Sequence, residues 1–260
     1  MPACRRLEVR ALRAALDIGY RVFDTAEMYG DGGAEQVLGE ALQASWRAGE
    51  LAREDIFIIT KVYPHNAGTR AMRKACEASL RRLGVEQVDL YLLHWRGDVP
   101  LDETIAAFGE LVQRGCIARW GVSNFDVADM RELEALPGGR ACAANQVYLS
   151  VSERGAEYEL LPWQQARSMP LMAYSPIDQG ALAGNEALAR VAARHGATAA
   201  QVALAALFAM PGVMAIPKSA NEQRLRENWA AAQLQLTNED LADLDRAFPR
   251  PSGKKPLAMI

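Results

Sequence analysis

Four residues are of types that could share one proton transfer: Asp24, Lys61 and His94 at the ends of apolar runs, and Tyr29 shortly after the first of them. Asp24 and Tyr29 lie in Val22-Phe23-Asp24-Thr25-Ala26-Glu27-Met28-Tyr29-Gly30, where apolar residues run into a carboxylate and a phenol follows in a Gly-rich turn. A Tyr with its ordinary pKa of about 10 is a poor acid at neutral pH. A nearby ammonium stabilises the phenolate and lowers that value. A buried ammonium in turn needs a carboxylate partner, which Asp24 can supply. His94 can donate a hydrogen bond to a carbonyl oxygen or share in the proton transfer. The set could thus protonate an oxygen on which negative charge develops, as in hydride addition to a carbonyl.

Lysine usage sharpens this reading. Of 29 basic residues only Lys61, Lys74, Lys218, Lys254 and Lys255 are lysines, yet the basic groups at two expected strand ends are Lys61 and Lys218. Lys is a compact point charge whose pKa can shift, whereas Arg stays protonated. A hydride source is suggested by Ile216-Pro217-Lys218-Ser219, with Arg224, Glu227 and Asn228 following in a helix pattern. Lys, Ser and Arg converging on a helix N-terminus suit a phosphate. Tyr174 offers a flat face for stacking a ring. Gly30-Asp31-Gly32-Gly33 does not have the G-x-G-x-x-G spacing, so a dinucleotide would be held without a Rossmann domain.

The elements that must position these groups alternate. Strands are expected at Arg21–Ala26, Ile56–Val62, Val88–His94, Ala118–Asn124, Ala143–Leu149, Pro170–Pro176 and Val213–Ser219, several of them apolar on successive residues, as in a parallel sheet. Their carboxyl ends would present Asp24, Lys61, His94, Ser123 with Asn124, Asn145 with Gln146, Tyr174 with Ser175, and Lys218 with Ser219. Ligand sites of parallel α/β folds lie at that edge. Helices are expected near Glu8–Ile18, Ala34–Arg47, Thr69–Leu83 (stopped by Gly84), Asp102–Gly115 (burying Ile105, Phe108, Leu111 and Val112), Asp126–Ala135, Ala156–Ser168, Glu186–His195, Thr198–Met210, Asn221–Ala232 and Thr237–Phe248. One α/β domain over residues 1–260 follows. A closed barrel needs eight strands, and seven are readable.

Bulk properties narrow the partners. A chain of 260 residues, 50% hydrophobic, suits a single (β/α)₈ barrel. Net charge −3 with no basic stripe argues against nucleic acid and anionic membrane. The longest apolar run, Val202 to Met210, is too short to span a bilayer. Cys4, Cys76, Cys116 and Cys142 lack C-x-x-C spacing, which fits free thiols in a reducing cytoplasm. Three His without H-E-x-x-H argue against a metal.

The fragments FDTAEMYG, ITKVYP, DLYLLHW, WGVSNF, NQVYLS, AYSPI and IPKSANEQRLREN together resemble the aldo-keto reductases, NAD(P)H-dependent carbonyl reductases on a (β/α)₈ TIM barrel. The resemblance covers about Glu8 to Asp245 and is nearest to bacterial members that reduce small aldehydes, methylglyoxal among them. It implies a catalytic tetrad of Asp24, Tyr29, Lys61 and His94, with Tyr29 as general acid. It implies that Ser123, Asn124 and Gln146 hold the nicotinamide amide, with Tyr174 stacked on the ring and Ser175 and Ile177 along the pyrophosphate. Lys218, Ser219 and Arg224 would take the 2'-phosphate of NADPH, Glu227 and Asn228 the adenine, and Trp95 would wall the pocket of a small carbonyl substrate. A monomer is expected. The family has a strand before its first helix with a Gly-Thr-Trp-like end, and this sequence begins at Met1-Pro2-Ala3-Cys4, so an N-terminally truncated barrel lacking the hairpin and first strand is expected. The alternatives are an inactive truncated form, a non-catalytic NADP(H)-binding or redox-sensing barrel, and an unrelated barrel enzyme such as a sugar-phosphate isomerase.

Other residues carry plainer expectations. His65 reads as a rim residue and His195-Gly196 as a helix end. Trp46, Trp120, Trp163 and Trp229 read as packing residues. Glu27 could handle a proton but reads as a solvated loop carboxylate. Lys254-Lys255 reads as a charged tail.

Overall fold

The computed structural model describes residues 2–260, with side chains from Arg5 onward; the thiol of Cys4 is outside the described residues. Residues up to Ser123 with Ala128–Ala143 form one compact unit, and Asn124–Val127 with Ala144–Ile260 form a second.

The first unit alternates α1 (Pro2–Ile18), β1 (Val22–Asp24), α2 (Gly33–Arg47), β2 (Phe57–Val62), α3 (Thr69–Leu83), β3 (Val88–Leu93), α4 (Leu101–Gln113) and β4 (Ile117–Ser123), followed by α5 (Val127–Ala135). Its strands pair in parallel and in chain order, with Asp24 beside Ile59, Lys61 beside Leu92 and Leu92 beside Gly121. From Ile58 to Val62 every residue of β2 is buried, the pattern of a strand covered on both faces. Each fully buried aliphatic side chain such as Ile58 or Ile59 contributes ~2 kcal/mol. Those contacts hold in place a strand that also carries an ammonium.

Helix α3 follows its expected bounds. Met72, Cys76, Leu80 and Leu83 follow one another at successive turns of one face and are all buried. Gly84, at φ 70, ends the helix in the left-handed conformation that costs glycine least. Glycine is required at Gly39 for another reason: a Cβ there would lie 2.6 Å from the Leu83 carbonyl oxygen, so α2 rests directly on the end of α3. Helix α4 starts one residue earlier than expected and turns Val112, 40% exposed, outward.

The second unit comprises β5 (Asn145–Tyr148), α6 (Leu160–Gln165), β6 (Leu171–Tyr174), α7 (Glu186–His195), α8 (Ala199–Phe208), β7 (Val213–Ala215), α9 (Glu222–Ala230) and α10 (Asn238–Ala247). Strands β5, β6 and β7 are again parallel and sequential. Helix α7 is capped by Asn185, whose side chain accepts from the Ala187 and Leu188 amides, and ends at Gly196 with φ 60. Thr198 and Gln201 close a capping box on α8. Leu188, Val191, Val202 and Leu244 pack these helices into one apolar cluster, with Ile177 against it.

Two strand assignments are corrected. Asn145 and Gln146 open β5 instead of ending it, because pairing with β6 starts at Leu171, after Pro170, which has no N–H to donate. Strand β7 stops at Ala215, so Lys218 and Ser219 lie in the loop beyond it. The Ile216 amide still reaches the Ala173 carbonyl, at 3.0 Å, and Pro217 then ends the ladder. The Ala156–Ser168 helix is shorter, a 3₁₀ turn followed by α6.

Candidate active site

Asp24 ends β1, and the turn after it carries Tyr29. Gly30, Asp31 and Gly32 follow at φ 60, 51 and 81, three successive left-handed residues that feed the chain into α2. The Tyr29 carbonyl accepts from the Ala34 amide at 3.1 Å, which ties the turn to the first residues of the helix. Beneath it lies a buried anchor. Glu35 of α2 is fully buried and accepts from Thr60 Oγ1 at 2.6 Å and Arg82 Nε at 2.5 Å. Thr60 precedes Lys61, so the helix behind the phenol and the strand bearing the amine are held together from below.

Lys61 Nζ donates to Asp24 Oδ2 at 2.6 Å, to the Thr25 carbonyl at 2.9 Å and to Tyr29 Oη at 3.2 Å. The lysine is fully buried, and its ammonium lies 4.8 Å from the Tyr29 ring centroid. Burial lowers its pKa, but the charges of Asp24 and Tyr29 and their hydrogen bonds outweigh that, and the pKa ends above its ordinary value. The lysine is therefore a permanent cation at neutral pH. Tyr29 itself is 38% exposed.

His94 follows β3 and sets its ring edge-on to Tyr29, with centroids 5.7 Å apart. Burial first, and the Lys61 charge second, push its pKa down to about 3. The imidazole is neutral at pH 7 and can present one N–H and one lone pair. Asp24, Tyr29, Lys61 and His94 are thus brought together as expected from the sequence.

Trp95 stands next to His94, half-buried, with ring centroids 5.0 Å apart. It meets a residue that sequence reasoning passed over: Tyr63, whose ring lies edge-on to it at 5.9 Å and stacks on His65 at 4.8 Å. The signal available was the density of rings, Tyr63, His65 and Trp95, just after two strands. Glu27 is also corrected. It is not solvated freely: its Oε1 accepts from the Tyr63 amide at 2.7 Å and from Asn66 Nδ2 at 3.2 Å.

In the second unit, Asn124 sits at φ 62 and donates its amide to the Gln146 carbonyl at 2.8 Å. Its Oδ1 accepts from Tyr174 Oη at 3.0 Å. Tyr174 stacks on Tyr148, rings 13° from parallel with centroids 5.7 Å apart. Tyr148 Oη donates to Asp178 Oδ1 at 2.7 Å, and Ser152 Oγ donates to the other carboxylate oxygen. Asp178 is a second residue missed from sequence. It holds a loop in which Ser175, Asp178 and Gln179 all have positive φ, conformations that cost a non-glycine residue energy. The Tyr174 ring is therefore fixed from behind and along its edge. Ser123, the last residue of β4, is buried, as is the side chain of Gln146.

Beyond β7, Ser219 Oγ accepts from the Asn221 amide at 3.1 Å, and Asn221 caps α9 by accepting from the Arg224 amide at 3.0 Å. Lys218 and Arg224 are exposed, and neither forms an ion pair among the described residues. Glu227 is half-buried and accepts from Gln223, and Asn228 is buried. Two exposed cations and a hydroxyl at the start of α9 fit a phosphate group; a fixed tyrosine face and buried amides fit a nicotinamide. Among the packing tryptophans, Trp120 and Trp163 are buried, but Trp229 is 44% exposed. Lys254 is no loose tail, since it pairs with Asp126 at 3.4 Å and Glu159 at 3.7 Å.

A model of the Aldo/keto reductase family matches residues 5–248. The chain belongs to that family. It is 49% identical, over 98% of its length and 89% of the relative, to methylglyoxal reductase YeaE of Escherichia coli. It is 35% identical, over 90% of its length and 81% of the relative, to a glyoxal reductase of Bacillus subtilis. Among solved structures, an aldo/keto reductase of Klebsiella pneumoniae in complex with NADP and acetate superposes with a TM-score of 0.95 at 46% identity, covering 100% of this chain and 91% of the other. This aldo-keto reductase accordingly has the α/β fold class of the (β/α)₈ barrels, with seven parallel strands readable. It is an NADP-dependent oxidoreductase that acts on the carbonyl groups of small molecules. No described helix is long and apolar enough to cross a membrane.

Proposed function

We propose that this reductase converts small 2-oxoaldehydes such as methylglyoxal to hydroxy products, with Tyr29 as general acid. The observation that carries the reading is the fully buried Lys61 ammonium, 2.6 Å from Asp24 and 3.2 Å from the Tyr29 hydroxyl. The names of the Escherichia coli and Bacillus subtilis relatives support the substrate class.

The residues of this chain divide the work. The neutral His94 ring donates a hydrogen bond to the substrate oxygen and orients it. Tyr29 delivers its proton to that oxygen as negative charge builds there. The phenolate left behind faces the Lys61 ammonium, which is in place before reaction and needs no reorganisation. Asp24 keeps the ammonium aimed. NADPH, when bound, supplies the hydride. Tyr174 would back its nicotinamide; Ser123, Asn124 and Gln146 would hold the carboxamide. Ser175 and Ile177 would line the pyrophosphate, Glu227 and Asn228 the adenine, and Lys218, Ser219 and Arg224 the 2'-phosphate. Trp95 would wall the substrate side. The free thiols of Cys76, Cys116 and Cys142 support placing the protein in a reducing compartment such as the cytoplasm.

The test is NADPH oxidation on adding methylglyoxal, followed at 340 nm. Tyr29→Phe should lower kcat by roughly 10²–10⁴, the usual contribution of a positioned acid. Tryptophan-fluorescence titration should show NADPH binding intact. Full turnover by the phenylalanine variant would remove Tyr29 from the role; loss of binding together with turnover would make it a structural residue.

A further inference from the structure

Glu27 lies two residues before Tyr29, and nothing in the proton transfer above uses it. Its carboxylate is nevertheless committed. Oε1 accepts from the backbone amide of Tyr63 at 2.7 Å and from Asn66 Nδ2 at 3.2 Å, while the Glu27 amide donates to the Lys61 carbonyl at 3.3 Å. One residue of the Tyr29 turn thereby grips the loop after β2 at both ends of its 3₁₀ turn, Pro64–Asn66.

That loop carries rings. Tyr63 stacks on His65 and meets Trp95 edge-on, and Trp95 in turn lies beside His94. Pro64 also fixes the loop after β3, because a Cβ on Gly97 would lie only 2.4 Å from the Pro64 Cβ. The aromatic wall is therefore built from two loops that rest on each other, and the carboxylate of a third loop sets their height. Side-chain rings on loops hold position only when the backbone beneath them is fixed by packing and hydrogen bonds.

We propose that Glu27 is a positioning residue: its carboxylate anchors the Tyr63–Asn66 loop and so sets the Tyr63–Trp95 wall that selects the carbonyl substrate, without itself moving a proton. The inference rests on the reading of Asp24, Tyr29, Lys61 and His94 as the proton-transfer site. The geometry separates it from a proton-handling role. An acceptor already engaged by a backbone amide at 2.7 Å needs only an oxygen there, and the amide oxygen of glutamine supplies one.

Glu27→Ala and Glu27→Gln decide between the two roles. With methylglyoxal and with a bulkier aromatic aldehyde, Glu27→Ala should raise KM at least tenfold for one or both and change their ratio. Its kcat should stay within about threefold and its pH profile should not move. Glu27→Gln should restore KM to within about threefold of wild type. Amide hydrogen exchange, which needs no turnover, should show protection at Tyr63 lost in Glu27→Ala and kept in Glu27→Gln. Unchanged protection at Tyr63 in the alanine variant overturns the anchor. Equal loss of kcat in both variants, with a displaced pH profile, overturns positioning in favour of proton transfer. Should wild type reduce no carbonyl at all, the catalytic reading falls, and the exchange result still upholds or removes the anchor by itself.

Discussion

Lys61 shows how a residue can be costly and indispensable together. A fully buried ammonium is tolerated only because Asp24, the Thr25 carbonyl and Tyr29 surround it. Removing the cation alone takes the ammonium away from the Asp24 carboxylate, whose side chain is 11% exposed. Lys61→Met should therefore lose ~3 kcal/mol of stability as well as turnover. Asp24→Asn/Lys61→Met should regain most of the stability and none of the kcat. Urea denaturation midpoints beside NADPH-oxidation rates check this; additive stability losses in the double variant would show that the two residues do not act as a pair. At this scale the sequence was most informative. Asp24, Lys61 and His94 were legible because each terminates an apolar run. Glu27 and Tyr63 were not, because neither residue type nor spacing tells which amide a loop carboxylate will meet.

Among elements, the loops after β6 and β7 carry what the strands leave unspecified. Asp178 accepts from Tyr148 and Ser152 at φ 46, so glycine there removes the acceptor while suiting the backbone. Asp178→Gly should weaken NADPH binding by about tenfold through a loosened Tyr148–Tyr174 stack; stopped-flow NADPH release measures it, and an unchanged rate would leave Asp178 with no part in cofactor retention. For the loop after β7, Lys218→Met with Arg224→Ala removes two charged hydrogen bonds of ~1.5 kcal/mol each, about 100-fold in NADPH affinity. NADH affinity should change little, and equal weakening of both nucleotides would contradict the phosphate assignment. Helices α3 and α7 could be read to the residue, since spacing, caps and terminal glycines agree. Strands β5 and β7 could not. Their limits depend on which neighbour offers an amide, and Pro170 and Pro217 each withhold one.

For the molecule as a whole, acidity is the informative variable. His94 has an ordinary pKa of 6.5 and a folded value of about 3, so folding favours its neutral form. Between those values the unfolded chain binds the extra proton, and stability must rise with pH. The contribution is complete above pH 6.5 and lost as pH falls towards 3, amounting to as much as ~3 kcal/mol by pH 4 at ~1.4 kcal/mol per unit. Asp240 adds a later loss. Burial raises its pKa, but hydrogen bonds from His195 and Thr237 bring it down to about 2, so its share disappears only between about pH 4 and 2. Urea midpoints measured from pH 7.5 to 4 should fall in wild type and fall less in His94→Gln; parallel curves would show that His94 does not titrate across folding.

All four groups proposed to serve the proton transfer belong to the first compact unit, and every residue proposed to hold the nucleotide except Ser123 belongs to the second. Under the proposed assignments, the groups that protonate the carbonyl oxygen and nearly all those that grip the nucleotide lie in separate stretches of the coding sequence. Inheritance could then revise the two separately. Recombination between relatives that exchanged the chain from Ala144 onward would change most of the nucleotide-holding residues while leaving the acid and its electrostatics untouched.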